Sequence, residues 1–302
     1  MTKISGIFAA SMSVLNTDLS LNVDKTIDHA EMLIDQGCHG TAIFGSTGQS
    51  QLISISEKIE LLNKLSRSKH KDKHLIGTGL NSLSETINFM KVASSLNFKK
   101  FLIMPPAYYK YGDAEVIEFY TRIINSIPEC KIILYNFEKL CGYKFSIECV
   151  KELFKKFPDQ ITGVKDSSYN LFENLKLKNF SIFPGSELKL LKGLELGCSG
   201  IITATCNVTA QMSRKVYDDF YSGNVQSVNQ KLCDVRSIFD KYNLISGLHS
   251  YCSQQNEIYR NILPPLSLLS KTDEKNLINA LKDLNFTNKP SLAAKHATCK
   301  IS

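Results

Sequence analysis

Short apolar runs of strand length alternate along most of the chain with segments whose apolar residues recur at i, i+3 and i+4. The first pattern is typical of buried strands and the second of helices with one buried face. The predicted strands are 4–12, 41–44, 74–78, 100–104, 131–136, 161–166, 181–184 and 199–204. The predicted helices are 23–36, 56–68, 83–96, 114–127, 146–156, 170–177, 187–196 and 209–221. Eight such strand–helix units predict an α/β fold, a closed parallel (β/α)8 TIM barrel.

A doubly wound open sheet is the competing architecture. It usually has a Gly-x-Gly-x-x-Gly turn after its first strand. Here the first predicted strand leads to Ser13-Val14-Leu15-Asn16 instead. The barrel is therefore the favoured prediction.

The strand pattern stops after residue 222, and the segments 225–246, 249–262 and 272–284 are predicted to be helical. These helices are too few to enclose a core of their own, so we expect them to pack on the barrel or on another subunit. The predicted organisation is a barrel over 1–222 and C-terminal helices, a helical extension, over 223–302. The tail from Lys289 onward has weak periodicity and is expected to be loosely held.

Composition narrows the class of protein. Of the 302 residues, 43% are hydrophobic and 22% are charged, as in ordinary globular proteins. No apolar run approaches the roughly 20 residues needed to span a bilayer, and the N-terminus lacks a secretory pattern. Nine cysteines without a Cys-x-x-Cys pair suit reduced thiols in a cytoplasm. We expect a cytoplasmic protein with no membrane partner.

The formal charge of +7 comes from lysines spread over the predicted helices. The densest basic run, Lys69–His74, lies between a helix and a strand, where a solvated loop is expected rather than a metal or nucleic-acid site. No nucleic-acid partner is predicted.

In a (β/α)8 barrel, functional groups lie at the carboxyl ends of the strands, on one face. The predicted strand ends are Gly45-Ser46-Thr47-Gly48-Gln49, Pro105-Pro106-Ala107-Tyr108-Tyr109, Leu134-Tyr135-Asn136, Lys165, Pro184-Gly185-Ser186-Glu187 and Thr203-Ala204-Thr205. An amine, several phenols and a cluster of hydroxyls therefore meet at one opening, without a carboxylate pair or a histidine cluster. That set favours imine chemistry over metal-assisted hydrolysis or glycoside cleavage.

Lys165 ends the apolar run Ile161–Val164, and Gly163 leaves room beside it on the same face. Burial disfavours the ammonium form of a lysine, and a neutral amine can form a Schiff base with a carbonyl substrate. The alternative is a lysine whose stem packs while its head reaches solvent. Taken alone, this stretch leaves both interpretations open.

Four motifs at strand ends decide between them: Gly45-Ser46-Thr47-Gly48, Pro105-Pro106-Ala107-Tyr108-Tyr109, Tyr135-Asn136 and Gly163-Val164-Lys165-Asp166. With these motifs in this order, the chain resembles the dihydrodipicolinate synthase/N-acetylneuraminate lyase family of pyruvate-dependent class I aldolases. The resemblance implies that Lys165 is the Schiff-base lysine and Tyr135 the general acid/base. It implies that Thr47 relays protons to Tyr135, and that Tyr108, supplied by a neighbouring subunit, completes the hydroxyl chain. Only one of Tyr108 and Tyr109 can serve, because adjacent residues of an extended segment point opposite ways.

The resemblance also implies a pocket for the 2-oxo acid. The implied substrate-binding residues are Ser46, Thr47, Ser167, Gly185, Glu187 and Ile202. Ser46 and Thr47 are expected to hold the pyruvyl carboxylate through hydroxyl and backbone N–H groups, and Gly185 to allow close backbone approach. No metal and no cofactor are implied, and the expected assembly is a homotetramer, a dimer of dimers.

The chain departs from the synthase branch of the family at one informative position. That branch has an arginine shortly after the strand-five tyrosine, which binds the second substrate's carboxylate. Here Leu140 stands in its place, and the adjacent Lys139 is expected to point elsewhere. The segments Gly142–Phe145 and Gly247–Ser250 are closer to the lyase branch.

The sialic-acid lyases in turn have an acidic pair where this chain has Glu187-Leu188, and a serine where it has Ala204. A pocket more apolar than one for a long polyol is therefore expected. Two further departures are Gln49, usually glutamate in the family, and Val14, usually proline.

The predicted function is a Schiff-base-forming lyase that reversibly cleaves a 2-oxo acid to pyruvate and an aldehyde. The substrate is expected to be a 2-keto-3-deoxy sugar acid or a sialic-acid-like compound. Three alternatives stay open: a 4-hydroxy-tetrahydrodipicolinate synthase using aspartate semialdehyde, a keto-deoxy sugar acid dehydratase, and a catalytically silent 2-oxo-acid-binding barrel.

Overall fold

Eight parallel strands form the centre of the protein, whose computed structural model describes residues 3–287. The strands are β1 (Gly6–Ala10), β2 (Gly40–Ile43), β3 (His74–Gly77), β4 (Lys100–Ile103), β5 (Lys131–Asn136), β6 (Ile161–Asp166), β7 (Ser181–Pro184) and β8 (Gly200–Thr203). From β1 to β7 each strand pairs with the next one along the chain, and β1 also pairs with β8. A hydrogen bond of 2.8 Å from the Ser199 N–H to the Ile182 carbonyl connects β8 to β7. The (β/α)8 barrel prediction is confirmed.

Alternation along the strands separates the barrel interior from the layer under the helices. One buried cluster fills the interior: Phe8, Ala42, Leu75, Leu102, Ile133, Tyr135, Phe183 and Ile202. The intervening residues, among them Ile43, Ile76, Ile103 and Leu134, belong to the cluster that packs against the helices. Buried on both faces, the strands are continuous apolar runs, which is why the sequence pattern located them.

The helices surround the barrel and continue beyond it. They are α1 (Val23–Asp35), α2 (Ile55–Leu65), α3 (Leu83–Ser95), α4 (Asp113–Ser126), α5 (Glu138–Cys141), α6 (Ile147–Lys156), α7 (Leu190–Glu195), α8 (Cys206–Tyr221), α9 (Asn229–Phe239), α10 (Leu244–Ser253) and α11 (Lys271–Asp283). An Asn or Ser side chain accepts a backbone N–H at the start of α1, α2, α3, α6, α10 and α11. These caps satisfy donors that have no partner within the helix.

The helix predicted over 170–177 is absent, and turns follow β6 instead. The Asp166 carboxylate accepts the backbone N–H groups of Tyr169, Leu171 and Phe172 at 2.8–2.9 Å. A side chain that binds three nearby backbone N–H groups competes with the helical hydrogen-bond pattern. The prediction was wrong because it considered apolar spacing and not this local acceptor.

The C-terminal helices pack on the barrel through a second apolar cluster. It joins Phe239, Leu248 and Leu277 of the extension to Met12 and Val14 after β1. Of the segment predicted to be helical over 225–246, α9 covers Asn229–Phe239; Asn243 then caps a new helix, α10, which runs into the segment predicted over 249–262. The division into 1–222 and 223–302 stays a prediction, and the tail from Lys289 lies outside the described residues. Within 3–287, no helix combines the length and apolar character that crossing a membrane requires.

Candidate active site

Lys165 and Tyr135 occupy facing positions at the carboxyl ends of β6 and β5. The strand register pairs the two residues directly, so their side chains point to the same side of the sheet. The Lys165 Nζ lies 4.0 Å from the centroid of the Tyr135 ring. Both side chains are buried, with exposed fractions of 3% and 4%. The structure thus brings the predicted amine and phenol together inside the barrel mouth.

Two glycines make room for this arrangement. A Cβ at Gly163 would collide with the Ser181 carbonyl oxygen and the Ile133 side chain. A Cβ at Gly185 would collide with the Ser167 hydroxyl. Glycine at both places lets the backbone of β6 and β7 approach closely around the lysine.

The loop after β2 supplies a hydroxyl to the phenol. The Ser46 Oγ lies 2.9 Å from the Tyr135 hydroxyl, whereas the sequence assigned the relay to Thr47. The Ser13 hydroxyl donates to the Gly48 carbonyl at 2.7 Å and fixes the loop. Within residues 3–287, the backbone N–H groups of Ser46 and Thr47 have no hydrogen-bond partner. Two neighbouring free N–H groups beside an amine suit a carboxylate.

Gln49 ties this loop to the C-terminal extension. Its Oε1 accepts the Leu263 N–H at 2.8 Å, and its Nε2 lies 3.3 Å from the His249 Nε2. Burial lowers the pKa of His249 to about 4, so the ring is neutral near pH 7. Its Nδ1 donates to the Tyr259 carbonyl at 2.8 Å, which leaves Nε2 to accept from the amide. An amide is suited to this position because it donates and accepts at once.

A second pair of side chains, Asn136 and Asp166, connects the ends of β5 and β6 by hydrogen bonds. The Asn136 Nδ2 donates to Asp166 Oδ1 at 2.8 Å, and the Phe145 N–H donates to Asn136 Oδ1 at 3.1 Å. Burial raises the pKa of the Asp166 carboxyl, and the N–H groups of Leu171 and Phe172 oppose that rise. Sequence reasoning placed Asn136 and Asp166 inside the motifs but gave them no role. Each directly follows a predicted catalytic residue, which is the signal that could have found them.

A cavity of about 640 Å³ opens at this end of the barrel. Its volume lies within the range of about 300–1,000 Å³ that is usual for small-molecule sites. Six of the predicted site residues line it: Ser46, Thr47, Tyr135, Lys165, Ser167 and Gly185. The amine therefore faces a space that a substrate can enter.

Three predicted residues do not line the cavity. Tyr108 is 90% exposed, with φ +87°, and is not among the residues that line the cavity of its own chain. Ile202 belongs to the apolar cluster inside the barrel, together with Tyr135. Glu187 is fully buried, and its carboxylate is bonded to other residues of the protein.

The Glu187 carboxylate is the centre of a buried polar network. It accepts from the hydroxyls of Thr203, Thr205 and Thr209 at 2.8, 2.6 and 3.2 Å. It also pairs with the Arg236 Nη1 at 3.0 Å. Arg236 comes from α9, 49 residues later in the chain. Sequence reasoning assigned α9 only a packing role and missed this cation.

Arg236 is held by a second carboxylate and reaches the cavity wall. Its Nε donates to Asp240 Oδ1 at 2.8 Å. Burial alone would lower the pKa of the Arg236 guanidinium, but the Glu187 and Asp240 carboxylates outweigh burial and raise that pKa. The charge is therefore permanent.

The outer wall of the cavity is more polar than the sequence predicted. Lys139 lines it beside Leu140, so the expectation that Lys139 points elsewhere is wrong. Further polar residues on this wall are Glu138, Ser168, Tyr169, Arg236, Asp240, Tyr242 and Asn243. Four of these come from α9 and the α9–α10 connection, where the sequence gave no sign of a site.

Comparison with known proteins identifies the family. The sequence model of the dihydrodipicolinate synthetase family matches residues 3–284. A 4-hydroxy-tetrahydrodipicolinate synthase from Lactobacillus acidophilus is 31% identical, over 67% of this chain and 65% of its own. An N-acetylneuraminate lyase from Actinobacillus pleuropneumoniae is 30% identical, over 72% of this chain and 76% of its own. These two relatives are therefore about equally similar to the chain.

A solved structure supports the fold independently. YagE of E. coli K12, a prophage protein of the dihydrodipicolinic acid synthase family crystallised with pyruvate, superposes with a TM-score of 0.86 at 22% identity. The match covers 95% of this chain and all of YagE. Together with the family match over nearly the whole sequence, this shows that the chain belongs to the dihydrodipicolinate synthetase family, whose members include the aldolase-type lyases.

Proposed function

We propose that the protein is a Schiff-base-forming lyase that reversibly cleaves a 2-oxo acid into pyruvate and an aldehyde. The observation that carries the proposal is the buried Lys165 amine, 4.0 Å from the Tyr135 ring, on the wall of a cavity that can hold a substrate. A buried amine next to a phenol supplies a nucleophile and a proton carrier at one carbon atom. Since an imine acts as the electron sink, the reaction needs no metal.

The first step forms the imine. The Lys165 amine attacks C2 of the 2-oxo acid, the resulting carbinolamine loses water, and a protonated imine remains. The free N–H groups of Ser46 and Thr47 are placed to bind the acid's carboxylate and so orient C2 toward the amine.

The second step breaks the C3–C4 bond. Tyr135 removes the proton of the C4 hydroxyl, the bonding electrons move into the imine, and the aldehyde leaves. The enamine that remains is protonated at C3, and water hydrolyses the imine to pyruvate and the free lysine. The Ser46 hydroxyl, 2.9 Å from the phenol oxygen, is placed to carry the proton onward. The relay through Thr47 and the contribution of Tyr108 from a neighbouring subunit of a homotetramer belong to this proposal.

Borohydride trapping tests the imine directly. Incubation with pyruvate and borohydride should give a stable adduct, mapped by peptide mass spectrometry to Lys165 and absent in Lys165→Arg. Lys58 is an internal control, because it is another buried amine and burial lowers its pKa to about 8. Its Nζ donates to the Thr78 carbonyl, and we expect no adduct there. An unmodified Lys165 in the wild type would overturn the proposal and favour a silent barrel.

A synthase is the second candidate, because Lys139 gives the cavity a cation although Leu140 has replaced the expected arginine. Pyruvate assays separate the outcomes. A lyase releases pyruvate from a panel of 2-keto-3-deoxy acids, and a dehydratase converts them without releasing it. A synthase consumes pyruvate with aspartate semialdehyde.

A further inference from the structure

Two charged residues of α9 and its C-terminal end lie on the cavity wall apart from the amine and the phenol. Arg236 and Asp240 are one helical turn apart, and the Arg236 Nε donates to Asp240 Oδ1 at 2.8 Å. The Arg236 Nη1 is occupied by Glu187 and two threonine hydroxyls. Among residues 3–287, the Arg236 Nη2 and the Asp240 Oδ2 have no hydrogen-bond partner. The pair therefore has one donor group and one acceptor atom available to a ligand.

The charges around this pair do not favour an anion. Arg236 lies between two carboxylates, the fully buried Glu187 at 3.0 Å and the more exposed Asp240 at 2.8 Å. These three groups carry a formal charge of −1 together. The Asp240 carboxylate would repel a second carboxylate or a phosphate on the substrate. A hydroxyl, in contrast, can donate to that carboxylate and accept from the guanidinium.

We infer that Arg236 and Asp240 form a recognition site for the hydroxyl groups of an uncharged tail on the 2-oxo acid. This inference rests on the proposed function, because it concerns the part of the substrate that leaves as the aldehyde. The site discriminates by two means: hydrogen bonds that an alkyl tail cannot make, and a negative charge that an anionic tail must approach. Lys139 lies on the same wall, and its positive charge offsets part of the repulsion that an anionic tail meets.

A set of four-carbon aldehydes tests the inference in the condensation direction, with pyruvate consumption as the measurement. The set consists of erythrose, which is hydroxylated, butanal, which is apolar, and succinate semialdehyde, which is anionic. The wild type should show the highest kcat/KM for erythrose. Asp240→Asn should lower the erythrose value about tenfold, as expected for a hydrogen bond to a charged group. The same variant should leave kcat/KM for butanal unchanged and raise kcat/KM for succinate semialdehyde several-fold. Asp240→Glu, which keeps the carboxylate, should recover part of the erythrose rate.

Asp218→Asn is the matched control. Asp218 pairs with the Arg214 Nε at 2.8 Å with the same four-residue spacing, on α8 and away from the cavity wall. This variant should retain the wild-type ranking of the three aldehydes. Equal changes for erythrose and butanal in Asp240→Asn, or no change for either, would overturn the inference.

The trapping experiment keeps this result separate from the proposed function. If Lys165 forms the pyruvate adduct and Asp240→Asn does not alter the ranking, the recognition site is wrong and the lyase chemistry stands. If no adduct forms, the lyase proposal itself fails, whatever the ranking.

Discussion

Glu187→Gln is the variant that best separates the buried network from a direct substrate contact. The substitution keeps the size of the side chain and removes the charge opposite Arg236. In the wild type the carboxylate is fully buried and accepts three threonine hydroxyls besides the guanidinium. The amide that replaces this carboxylate presents only one oxygen to these donors. The Arg236 side chain, 8% exposed, retains only Asp240 as a charged partner among the described residues.

The expected loss of stability is large for a single substitution. Removing one partner of a buried ion pair costs about 3–5 kcal/mol, because the other charge stays out of water. At about 2 °C per kcal/mol for a large domain, the Tm should fall by about 6–10 °C. Replacing both charges, as Glu187→Gln with Arg236→Met, should recover most of that loss. Asp218→Asn, which breaks an exposed ion pair, should lower the free energy of unfolding by less than about 1 kcal/mol.

Thermal and urea unfolding of these variants and the wild type measure the effect, and borohydride trapping with pyruvate reports on the amine. Because Glu187 does not line the cavity, Glu187→Gln should form the Lys165 adduct at the wild-type level wherever it is folded. The opposite pattern refutes the reasoning. If Glu187→Gln is as stable as the wild type and loses turnover through a raised KM, the carboxylate touches substrate, as the family resemblance implied.

Further variants concern the phenol, the hydroxyl beside it, the subunit contact and a buried histidine. Tyr135→Phe should lower kcat by about 10²–10⁴-fold and still form the pyruvate adduct. Ser46→Ala should lower kcat about fivefold. Steady-state kinetics measure both changes. If a neighbouring subunit supplies Tyr108, inactive Lys165→Arg and Tyr108→Phe chains should regain about a quarter of the wild-type activity when refolded together. No recovery would place Tyr108 outside the site. His249 has a folded pKa of about 4 against an ordinary 6.5, so its contribution to stability is complete above pH 6.5 and is lost as the pH falls toward 4. The urea midpoint should therefore drop between about pH 7 and 4.5, less steeply in His249→Gln, and equal slopes would contradict the assignment.

The barrel was predictable because its strands are buried on both faces. Each one is a short unbroken apolar run, and strand-end positions follow from the fold alone. The sequence alone therefore predicts Lys165 and Tyr135 at one opening. The helix expected over 170–177 failed for a local reason, since the Asp166 carboxylate holds that backbone in turns.

The outer part of the site could not be read from the sequence. The sequence shows an arginine and an aspartate four residues apart on a helix, a pattern that usually marks a solvated ion pair. Whether such a helix faces a cavity depends on how α9 docks on the barrel, which no local pattern encodes. For the same reason, nothing in the Gly185–Glu187 motif indicates that Glu187 is committed to Arg236, 49 residues away.

This division between strands and extension bears on why a synthase and a lyase match the chain about equally well. The residues proposed to form the imine lie at strand ends, and the β5–β6 register fixes their positions relative to each other. The wall proposed to face the departing aldehyde includes four residues of α9 and its connection to α10. Under the proposed function, substitutions there change which aldehyde is accepted without moving the amine. Sequence identity over the whole chain then reflects the imine chemistry that synthases and lyases share. Under the proposed function, the specificity for the aldehyde depends on the few side chains of α9 and on Lys139.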